Sequence, residues 1–378
     1  MKFSHRPIRS TDVHRPRTLL YICRQWTARP NLMWTQWIVQ PAQAAKLLVI
    51  PLVGSGAWRL ISPDSQNPFH AFFLISNNVD SVQNRYAKSW ADILFVAFYV
   101  VFFAFFRQIV VVSVGERAAV AFGIRRRGKI VRFGEQTYAF VYYSLASAWG
   151  WRVMKELPTW WYQTEGFWLE YPHWDMPAQL KAYYLVQTAY WIHQVLVLVL
   201  AMERPRKDYN EFMLHHCVTI WLIFWSYLMN LTFIGHAVYL SMDFPEVVFS
   251  FSKLLNYLAF DRAKIVSLAI FTYVWTYFRH YLNIIILWSI YVEYELVPAT
   301  ASRWSLQDGV YLTWWLKYFI FVPLFALQLV NLFWYSLVLK IFFKALVTAQ
   351  ATDERSMMRM RMKMKMGRLT PGRQYSGV

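Results

Sequence analysis

Eight apolar segments run through this chain, and each approaches the length that a helix needs to cross a lipid bilayer. A membrane-spanning helix requires about 20 predominantly apolar residues. Pro41 and Pro51 interrupt the first segment, whereas the second contains long runs of Ile, Leu, Phe and Val. The sequence therefore predicts an all-α polytopic membrane protein with about eight transmembrane helices. The predicted segments lie at 36–60, 92–114, 133–154, 180–201, 210–230, 232–258, 264–291 and 311–347.

Composition supports a membrane protein over a soluble one. Of the 378 residues, 57% are hydrophobic and only 16% are charged, against about 25% charged residues in an average soluble domain. The 20 Trp and 24 Tyr residues suit a chain with two membrane interfaces, where amphipathic rings collect. A soluble protein of this composition would expose large apolar patches and aggregate. Residues 1–31 are basic and lack an apolar core before a cleavage site, so we expect no removable signal peptide.

The basic residues are distributed in a way that indicates topology. The net charge is +18, but Lys and Arg are concentrated in short loops and tails, as the positive-inside rule describes. The segments 1–31, 115–132 and 202–209 are predicted to be cytosolic, and the acidic loops 155–179 and 292–310 lie on the other side. Both termini are then cytosolic. No nucleic-acid-binding motif accompanies the charge, so nucleic acid is not an expected partner.

Polar residues form a line along each of two neighbouring apolar segments. Spacings of three, four and seven place them on one face of each helix. Ionisable groups inside a membrane are costly and usually face a cavity or a partner. The turn between the segments is very short, so the two helices are predicted to be antiparallel neighbours around a polar cavity. The first line is Asp208, Glu211, His215, Thr219, Ser226 and Asn230, and the second is Thr232, His236, Tyr239, Asp243, Glu246, Ser250, Lys253 and Tyr257.

The predicted chemical centre comprises His215, His216 and Asp243. Histidine is the usual proton acceptor near neutral pH, and Glu211 or Asp243 can stabilise the imidazolium that forms. Adjacent histidines point about 100° apart around a helix, so the two should have different roles. The polar line runs through His215, which is predicted to transfer a proton or to attack as a nucleophile. His216 lies nearer to Phe212 and is predicted to bind substrate, donate a hydrogen bond or complete the pocket.

The alternative is that these polar residues join helices by buried hydrogen bonds, which occur in membrane bundles. That alternative is favoured for a single His or Thr, but not for two histidines and two carboxylates together. Arg279, next to His280, can bind a phosphate or carboxylate, reach the interface or pair with an acid. Cys217 is predicted to be a small buried thiol rather than a nucleophile. We also predict that four polar residues are helix contacts: His193, Gln194, Gln328 and Asn331.

A metal centre is not predicted. Membrane di-iron enzymes carry several HxxxH and HxxHH motifs, whereas this chain has nine histidines with one adjacent pair and neither motif. No Cys pair has metal-ligand spacing. We therefore expect no metal and no cofactor.

The polar lines resemble the Lag motif of the ceramide synthases, a family of TLC-domain proteins. The resemblance covers roughly 85–356 and includes Arg279-His280 and a stretch near Gln328 in later helices. Met242 and Phe233 stand where animal members have His and Arg, as in the fungal branch, and Glu246 stands where Asp is common. The motif residues are Lys207-Asp208-Tyr209-Asn210-Glu211, His215-His216, Thr219, Ser226-Tyr227, Gly235, Asp243, Glu246, Lys253 and Asn256-Tyr257.

This resemblance implies an endoplasmic-reticulum acyltransferase that joins the acyl chain of acyl-CoA to the amine of a sphingoid base. It implies a barrel formed by the last six helices around a long cavity, with acyl-CoA as co-substrate. A dimer partner or a small accessory subunit remains open. The catalytic residues are then His215, His216 and Asp243. The supporting or substrate-binding residues are Asp208, Glu211, Glu246, Lys253, Arg279 and His280.

The chain is therefore expected to have four parts. These are a basic cytosolic segment 1–31, two N-terminal helices with their loops in 32–131, a TLC catalytic domain 132–347 and a disordered basic tail 348–378.

Two mechanisms remain open, because His215 can act as a general base or carry the acyl group as an acyl-imidazole. A non-catalytic TLC-domain protein and a lipid transporter are the alternatives. Acyl-chain length and sphingoid-base preference are not readable from the sequence.

Overall fold

The computed structural model describes residues 36–200 and 208–369, with the backbone alone at 261–262 and 348–369. Within these residues the chain is mostly helical, as predicted. Each of the eight apolar segments coincides with one long helix. These helices are α1 Pro41–Ile61, α2 Asp92–Ala121, α3 Arg127–Lys155, α4 Ala178–Val199, α5 Tyr209–Leu228, α6 Thr232–Tyr257, α7 (Asp261–Trp275, Thr276–Leu282 and Asn283–Val292) and α8 Leu316–Leu369.

Among the described helices, three are long and apolar enough to cross a membrane by length and composition alone: Pro41–Ile61, Asp92–Ala121 and Leu316–Val347. The helices α5 and α6 carry the two polar lines, which lower their mean hydropathy. Together with their length and packing, the helices describe a polytopic membrane protein.

Helices α3 to α8 form a continuous ring of contacts. Helix α3 packs against α4 and α6, α4 packs against α5, and α8 lies between α5 and α7, which in turn contacts α6. The N-terminal helix α2 packs outside this ring, on α3 and α4. Helices α2 and α3 approach closely because both carry glycine at the crossing: a Cβ on Gly115 would lie 2.5 Å from the Cα of Gly134. Small residues allow such close helix contacts in membranes.

Helices α5 and α6 are antiparallel neighbours joined by a very short turn, as predicted. Asn230 has φ 61°, a left-handed conformation that asparagine tolerates better than most residues. The backbone N–H of Leu231 donates to the carbonyl of Ser226 at 2.8 Å, which ends α5. The side chain of Asn230 donates to the carbonyl of Gly309 at 2.9 Å. The loop before α8 thus holds this turn in place. The turn in turn fixes how the polar lines of α5 and α6 are aligned with each other.

The structure contains a small three-stranded antiparallel sheet. The sequence did not predict it. Its strands have the order β1-β2-β3, and Ala87 pairs with Asp175. The strands are only three residues long, too short to show an alternating pattern. The sheet connects the segment before α2 to the segment before α4. The strands are β1 Asn78–Asp80, β2 Arg85–Ala87 and β3 Asp175–Pro177.

Lys88, directly after β2, caps the C-terminus of α5. Its Nζ donates to the carbonyls of Tyr227 at 3.1 Å and Leu228 at 2.8 Å. A cation at this position satisfies carbonyls that have no partner within the helix. Burial lowers the pKa of Lys88 to about 8. The N-terminal part of the chain therefore holds one end of the helix that carries both candidate histidines.

The last helix differs from its prediction. Helix α8 continues to Leu369, so the backbone of 348–369 is helical where we expected disorder. The alternation of Met with Lys and Arg contains no helix breaker before Gly367, which explains why a helix can extend through it. The predicted cytosolic segments 1–31 and 202–207, and the final residues 370–378, lie outside the described residues.

Candidate functional site

A long apolar cavity lies between α4, α5, α6 and α8. Its space, including the opening, amounts to about 750 Å³. Trp191 and His215 line one end, and Met229 and Leu231 line the other. Along α5 the lining extends from His215 to Met229, directly after the helix, and these fourteen residue steps correspond to about 21 Å. The lining is almost entirely aliphatic and aromatic, so the cavity suits an extended hydrocarbon chain.

His215 is the one predicted site residue that lines this cavity. Its ring lies 5.6 Å from that of Trp191 and 5.4 Å from that of Trp334, centroid to centroid. Its Nδ1 is buried and has no hydrogen-bond partner among the described residues. The imidazole is thus held by packing against aromatic rings. A ring nitrogen without a partner is free to accept a proton or to attack an electrophile.

His216 is oriented differently, as the 100° rotation between neighbours predicts. Its Nδ1 lies 2.8 Å from the carbonyl oxygen of Phe212, one turn earlier. The ring contacts Trp191 at 5.7 Å and stands at 90° to the ring of His215. Because the carbonyl can only accept a hydrogen bond, Nδ1 carries the proton of neutral His216 and Nε2 is left as the acceptor.

Asp243 is buried in a polar network that the sequence did not predict. The Nε2 of Gln187 donates to Oδ2 of Asp243 at 2.5 Å and to the hydroxyl of Tyr183 at 2.9 Å. The hydroxyl of Tyr142 donates to Oε1 of Gln187. All four side chains are at most 5% exposed. The tyrosine proton orients the Gln187 amide, and the amide in turn orients the carboxyl group of Asp243.

The expected contact between Asp243 and His215 is not formed. Within the described part of the chain, no hydrogen bond or ion pair joins them, and Met242 rather than Asp243 lines the cavity. Asp243 is instead turned toward Gln187 on α4. Glu211 likewise makes no described hydrogen bond or ion pair with His215. The prediction that a carboxylate touches this imidazole is therefore wrong for the structure as described.

Arg279 and Glu246 form an ion pair between α7 and α6. The Nη2 of Arg279 lies 2.6 Å from Oε1 of Glu246 and 2.9 Å from the carbonyl of Met242. The guanidinium also stacks over Trp275 at 4.1 Å. Of the roles that the sequence left open for Arg279, the structure shows pairing with an acid.

His280 follows Arg279 in the π-helical part of α7 and faces α8. The Nε2 of Gln328 lies 2.7 Å from Nδ1 of His280, and Oε1 of Gln328 accepts from Asn283 at 2.6 Å. Gln328 is thus a helix contact, as predicted. π-Helical turns often occur at functional sites, and this one rotates Arg279 toward α6 while His280 contacts α8.

The remaining supporting residues lie outside the cavity. Asp208 accepts a hydrogen bond from Nε1 of Trp334 at 3.0 Å, which joins the start of α5 to α8. Lys253 places its Nζ 3.7 Å above the ring of Phe249. Cys217 is exposed on α5, so its prediction as a buried thiol is wrong. No cluster of three or more potential metal ligands occurs in the part of the chain that the structure describes.

Sequence reasoning missed Gln187 and Trp191, and it placed Thr219 on the first polar line without giving its hydroxyl a role. Gln187 and Trp191 lie on α4, four positions apart and therefore on one face of the helix. Their neighbours Tyr183, Tyr184 and Tyr190 made this face look like ordinary aromatic packing. The one available indication was Gln187 itself, an uncharged amide within an apolar segment.

The comparisons with known proteins show the family to which this sequence is similar. The sequence profile of the TLC domain matches residues 132–340, which include α4 to α7 and the first part of α8. Sphingosine N-acyltransferase lac1 of Schizosaccharomyces pombe is 37% identical over 312 residues, which cover 82% of this chain and 79% of the relative. Ceramide synthase LAG1 of Saccharomyces cerevisiae is 37% identical over 332 residues, which cover 86% of this chain and 80% of the relative.

A vertebrate relative matches a shorter part of the chain. Ceramide synthase 4 of Bos taurus is 30% identical over 208 residues, which cover 55% of this chain and 49% of the relative. The similarity to fungal proteins thus extends over most of the chain.

Proposed function

The chain belongs to the TLC-domain family of ceramide synthases, and we propose that it transfers an acyl chain from acyl-CoA to the amino group of a sphingoid base, forming ceramide and CoA. The observation that carries this proposal is the long apolar cavity with the imidazole of His215 at one end. The cavity suits the acyl chain, and the histidine lies where the thioester has to react. This combination gives an acyltransferase both a binding site and a proton acceptor.

Two routes for the acyl group are consistent with this site. In the first, the amine attacks the thioester carbon while His215 accepts an amine proton and passes it to the departing CoA sulfur. In the second, His215 attacks the thioester first, CoA leaves, and the amine then takes the acyl group from the acyl-imidazole. Asp243, whose Oδ2 accepts a hydrogen bond from Gln187, makes no hydrogen bond with His215 and would act on positive charge at the reaction through its negative charge alone.

The CoA head group is anionic, and we propose that it binds on the cytosolic side. The loop between α2 and α3 and the first turn of α3 are basic and include Arg125, Arg126 and Lys129. Guanidinium groups pair phosphates with bidentate hydrogen bonds. The thioester would then reach His215 from the cytosolic end of the cavity while the acyl chain extends along α5.

We propose a multi-pass arrangement in the endoplasmic reticulum membrane. All eight long helices cross the bilayer, both termini are cytosolic, and α3 to α8 form the TLC-type barrel. The ring of contacts among these six helices and the alternation of basic and acidic loops support this arrangement. We assign 32–131 to the two N-terminal helices and 132–347 to the catalytic domain, with 1–31 and 348–378 in the cytosol.

The function is tested directly by the products of the purified protein. Protein in detergent is given mixed acyl-CoAs and sphingoid bases, and products are identified by mass spectrometry. We expect N-acylated sphingoid bases and an equal amount of free CoA. A lipid transporter or a non-catalytic TLC-domain protein would give no product in detergent, and that result would overturn the proposal. Activity that appears only with a co-purified subunit would identify an accessory partner.

A further prediction concerns Gln187, the residue that orients Asp243. Gln187→Leu removes the amide that donates to Oδ2 of Asp243. We expect kcat to fall about 10- to 100-fold, the equivalent of ~1.5–3 kcal/mol for a hydrogen bond to a charged group, with KM for acyl-CoA unchanged. Gln194→Leu is the matched control, because that amide donates to Tyr190 on the same helix and lies outside the Asp243 network. Equal rates for both variants would exclude a positioning role.

A further inference from the structure

Two buried hydrogen-bond donors lie beside His215 without a partner. They are Nε1 of Trp191 and Oγ1 of Thr219, and neither has a hydrogen bond to any residue that the structure describes. Both side chains line the same end of the cavity as His215. A buried donor without a partner is destabilising. A bound acceptor would therefore satisfy both of these donors beside one imidazole.

Thr219 differs from most of the other described threonines within helices, although Thr232 at the start of α6 is also without a partner. Four of these, Thr137, Thr188, Thr272 and Thr276, donate their hydroxyl to the backbone carbonyl four residues earlier at 2.8 or 2.9 Å. This is the usual way for a helical threonine to satisfy its hydroxyl. Thr219 does not donate to the corresponding carbonyl of His215. Its hydroxyl is consequently free for another acceptor, one helical turn from the catalytic imidazole.

The indole of Trp191 limits which chemical groups can be that acceptor. An indole N–H can only donate, so its partner must carry a lone pair. The Trp191 ring lies 5.6 Å from His215 and 5.7 Å from His216, so it packs against both imidazoles. A group that reacts with His215 therefore comes within reach of the indole ring. The substrate atom that fits is the carbonyl oxygen of the thioester.

We propose that Trp191 Nε1–H and Thr219 Oγ1–H form the oxyanion-binding site of the acyl transfer, an inference that rests on the proposed function. When a nitrogen lone pair attacks the thioester carbon, a C–N bond forms and the carbonyl π electrons move to oxygen. The two donors stabilise the resulting oxyanion. The C=O bond then re-forms, the C–S bond breaks, and the CoA thiolate takes the proton released by the attacking nitrogen. Fixed donors at the oxygen act most strongly in such a water-poor site.

Two variants, each of which removes one donor group, test the two donors. Trp191→Phe keeps an aromatic ring but removes the N–H, and Thr219→Val keeps the shape but removes the hydroxyl. Loss of one oxyanion donor typically costs about 10²–10³-fold in kcat. We expect a loss in this range for Trp191→Phe and for Thr219→Val. Thr219→Ser retains the hydroxyl and should restore most of the activity.

Matched controls remove the same groups elsewhere. Trp149→Phe removes an indole N–H that donates to Gln179, and Thr137→Val removes a hydroxyl that donates to Phe133. Both lie on α3, away from the cavity, and should leave kcat unchanged. If Trp191→Phe and Thr219→Val also retain full kcat while the wild type forms ceramide, the oxyanion inference is wrong and the function stands. A wild type that forms no product would instead overturn the function.

Binding of unreactive analogues separates an oxyanion role from a structural one. A ketone analogue of acyl-CoA, with a methylene between sulfur and the carbonyl carbon, keeps the carbonyl oxygen, whereas a thioether analogue lacks it. Trp191→Phe should weaken binding of the ketone analogue about 10-fold or more and leave binding of the thioether unchanged. Equal losses for the two analogues would show that the variant merely disturbs the cavity and would overturn the proposal.

Discussion

Replacing His215 by alanine is expected to reduce N-acyl transfer by about 10²–10⁴-fold, the usual contribution of general acid–base catalysis. If the acyl group passes through an acyl-imidazole, no product above background should form. His215 is the predicted site residue that lines the cavity, and its Nδ1 is without a partner among the described residues. The substitution therefore removes the imidazole and breaks no described hydrogen bond of its Nδ1. The protein should remain folded.

The measurement is ceramide formation by the purified variant, followed by mass spectrometry. His193→Leu is the matched control, because His193 is completely buried on α4 and lies outside the cavity lining. That variant should keep activity within a few-fold of the wild type. Unchanged turnover in His215→Ala would remove the basis for the site assignment.

The intact mass of the wild type incubated with acyl-CoA alone distinguishes the two routes. An increase equal to one acyl group, absent in His215→Ala, identifies an acyl-imidazole. Quenched samples without this increase favour direct attack by the amine, with His215 as the base. Acylation of both proteins would place the adduct elsewhere, for example on the exposed Cys217.

The sequence was sufficient for the helices and their order, but not for the contacts between polar groups. The length of the apolar segments located the eight long helices, and the short turn at Asn230 predicted the antiparallel pairing of α5 and α6. Periodicity shows which face of a helix is polar. It does not show how each face is rotated toward its neighbours, so Asp243 was expected at His215 and instead faces Gln187.

Other errors have the same origin in packing. Gln187 lies on a third helix, α4. Its neighbours there are aromatic, so the sequence shows no regular spacing of polar residues around Gln187. Cys217 was expected to be buried because it lies beside two histidines. The rotation of about 100° per residue directs its side chain to another face of α5, and it is exposed. Arg279 is paired with Glu246 because a π-helical turn changes the direction of the side chains on α7, and hydrophobic periodicity does not indicate such a turn.

A buried ion pair outside the site is expected to have the largest effect on stability. The Nζ of Lys181 on α4 lies 2.8 Å from Oδ1 of Asp92 on α2, and their side chains are 0% and 4% exposed. The same Nζ donates to the carbonyls of Ser76 and Ala87. The hydroxyl of Tyr227 on α5 donates to Oδ2 of Asp92 at 2.8 Å. This cluster therefore joins the N-terminal helices to α4 and to the helix that carries His215.

Lys181→Met keeps most of the side-chain volume but leaves Asp92 buried without its cation. Removing one partner of a buried pair typically costs about 3–5 kcal/mol, so we expect a large fall in the thermal midpoint of the detergent-solubilised protein. Arg303→Met is the control, because Arg303 and Asp308 form an exposed pair with 62% and 51% exposed side chains. An exposed pair contributes about 0–1 kcal/mol.

The double variant Asp92→Asn/Lys181→Met distinguishes an unpaired charge from lost packing. Because the Asp92→Asn replacement removes the charge and keeps an oxygen that can accept the hydrogen bond from Tyr227, the double variant should recover part of the lost thermal midpoint. Activity measured at low temperature should fall less than stability, since the cluster lies away from the cavity. A thermal midpoint for Lys181→Met equal to that of Arg303→Met would show that the buried pair does not hold the N-terminal helices to the catalytic domain.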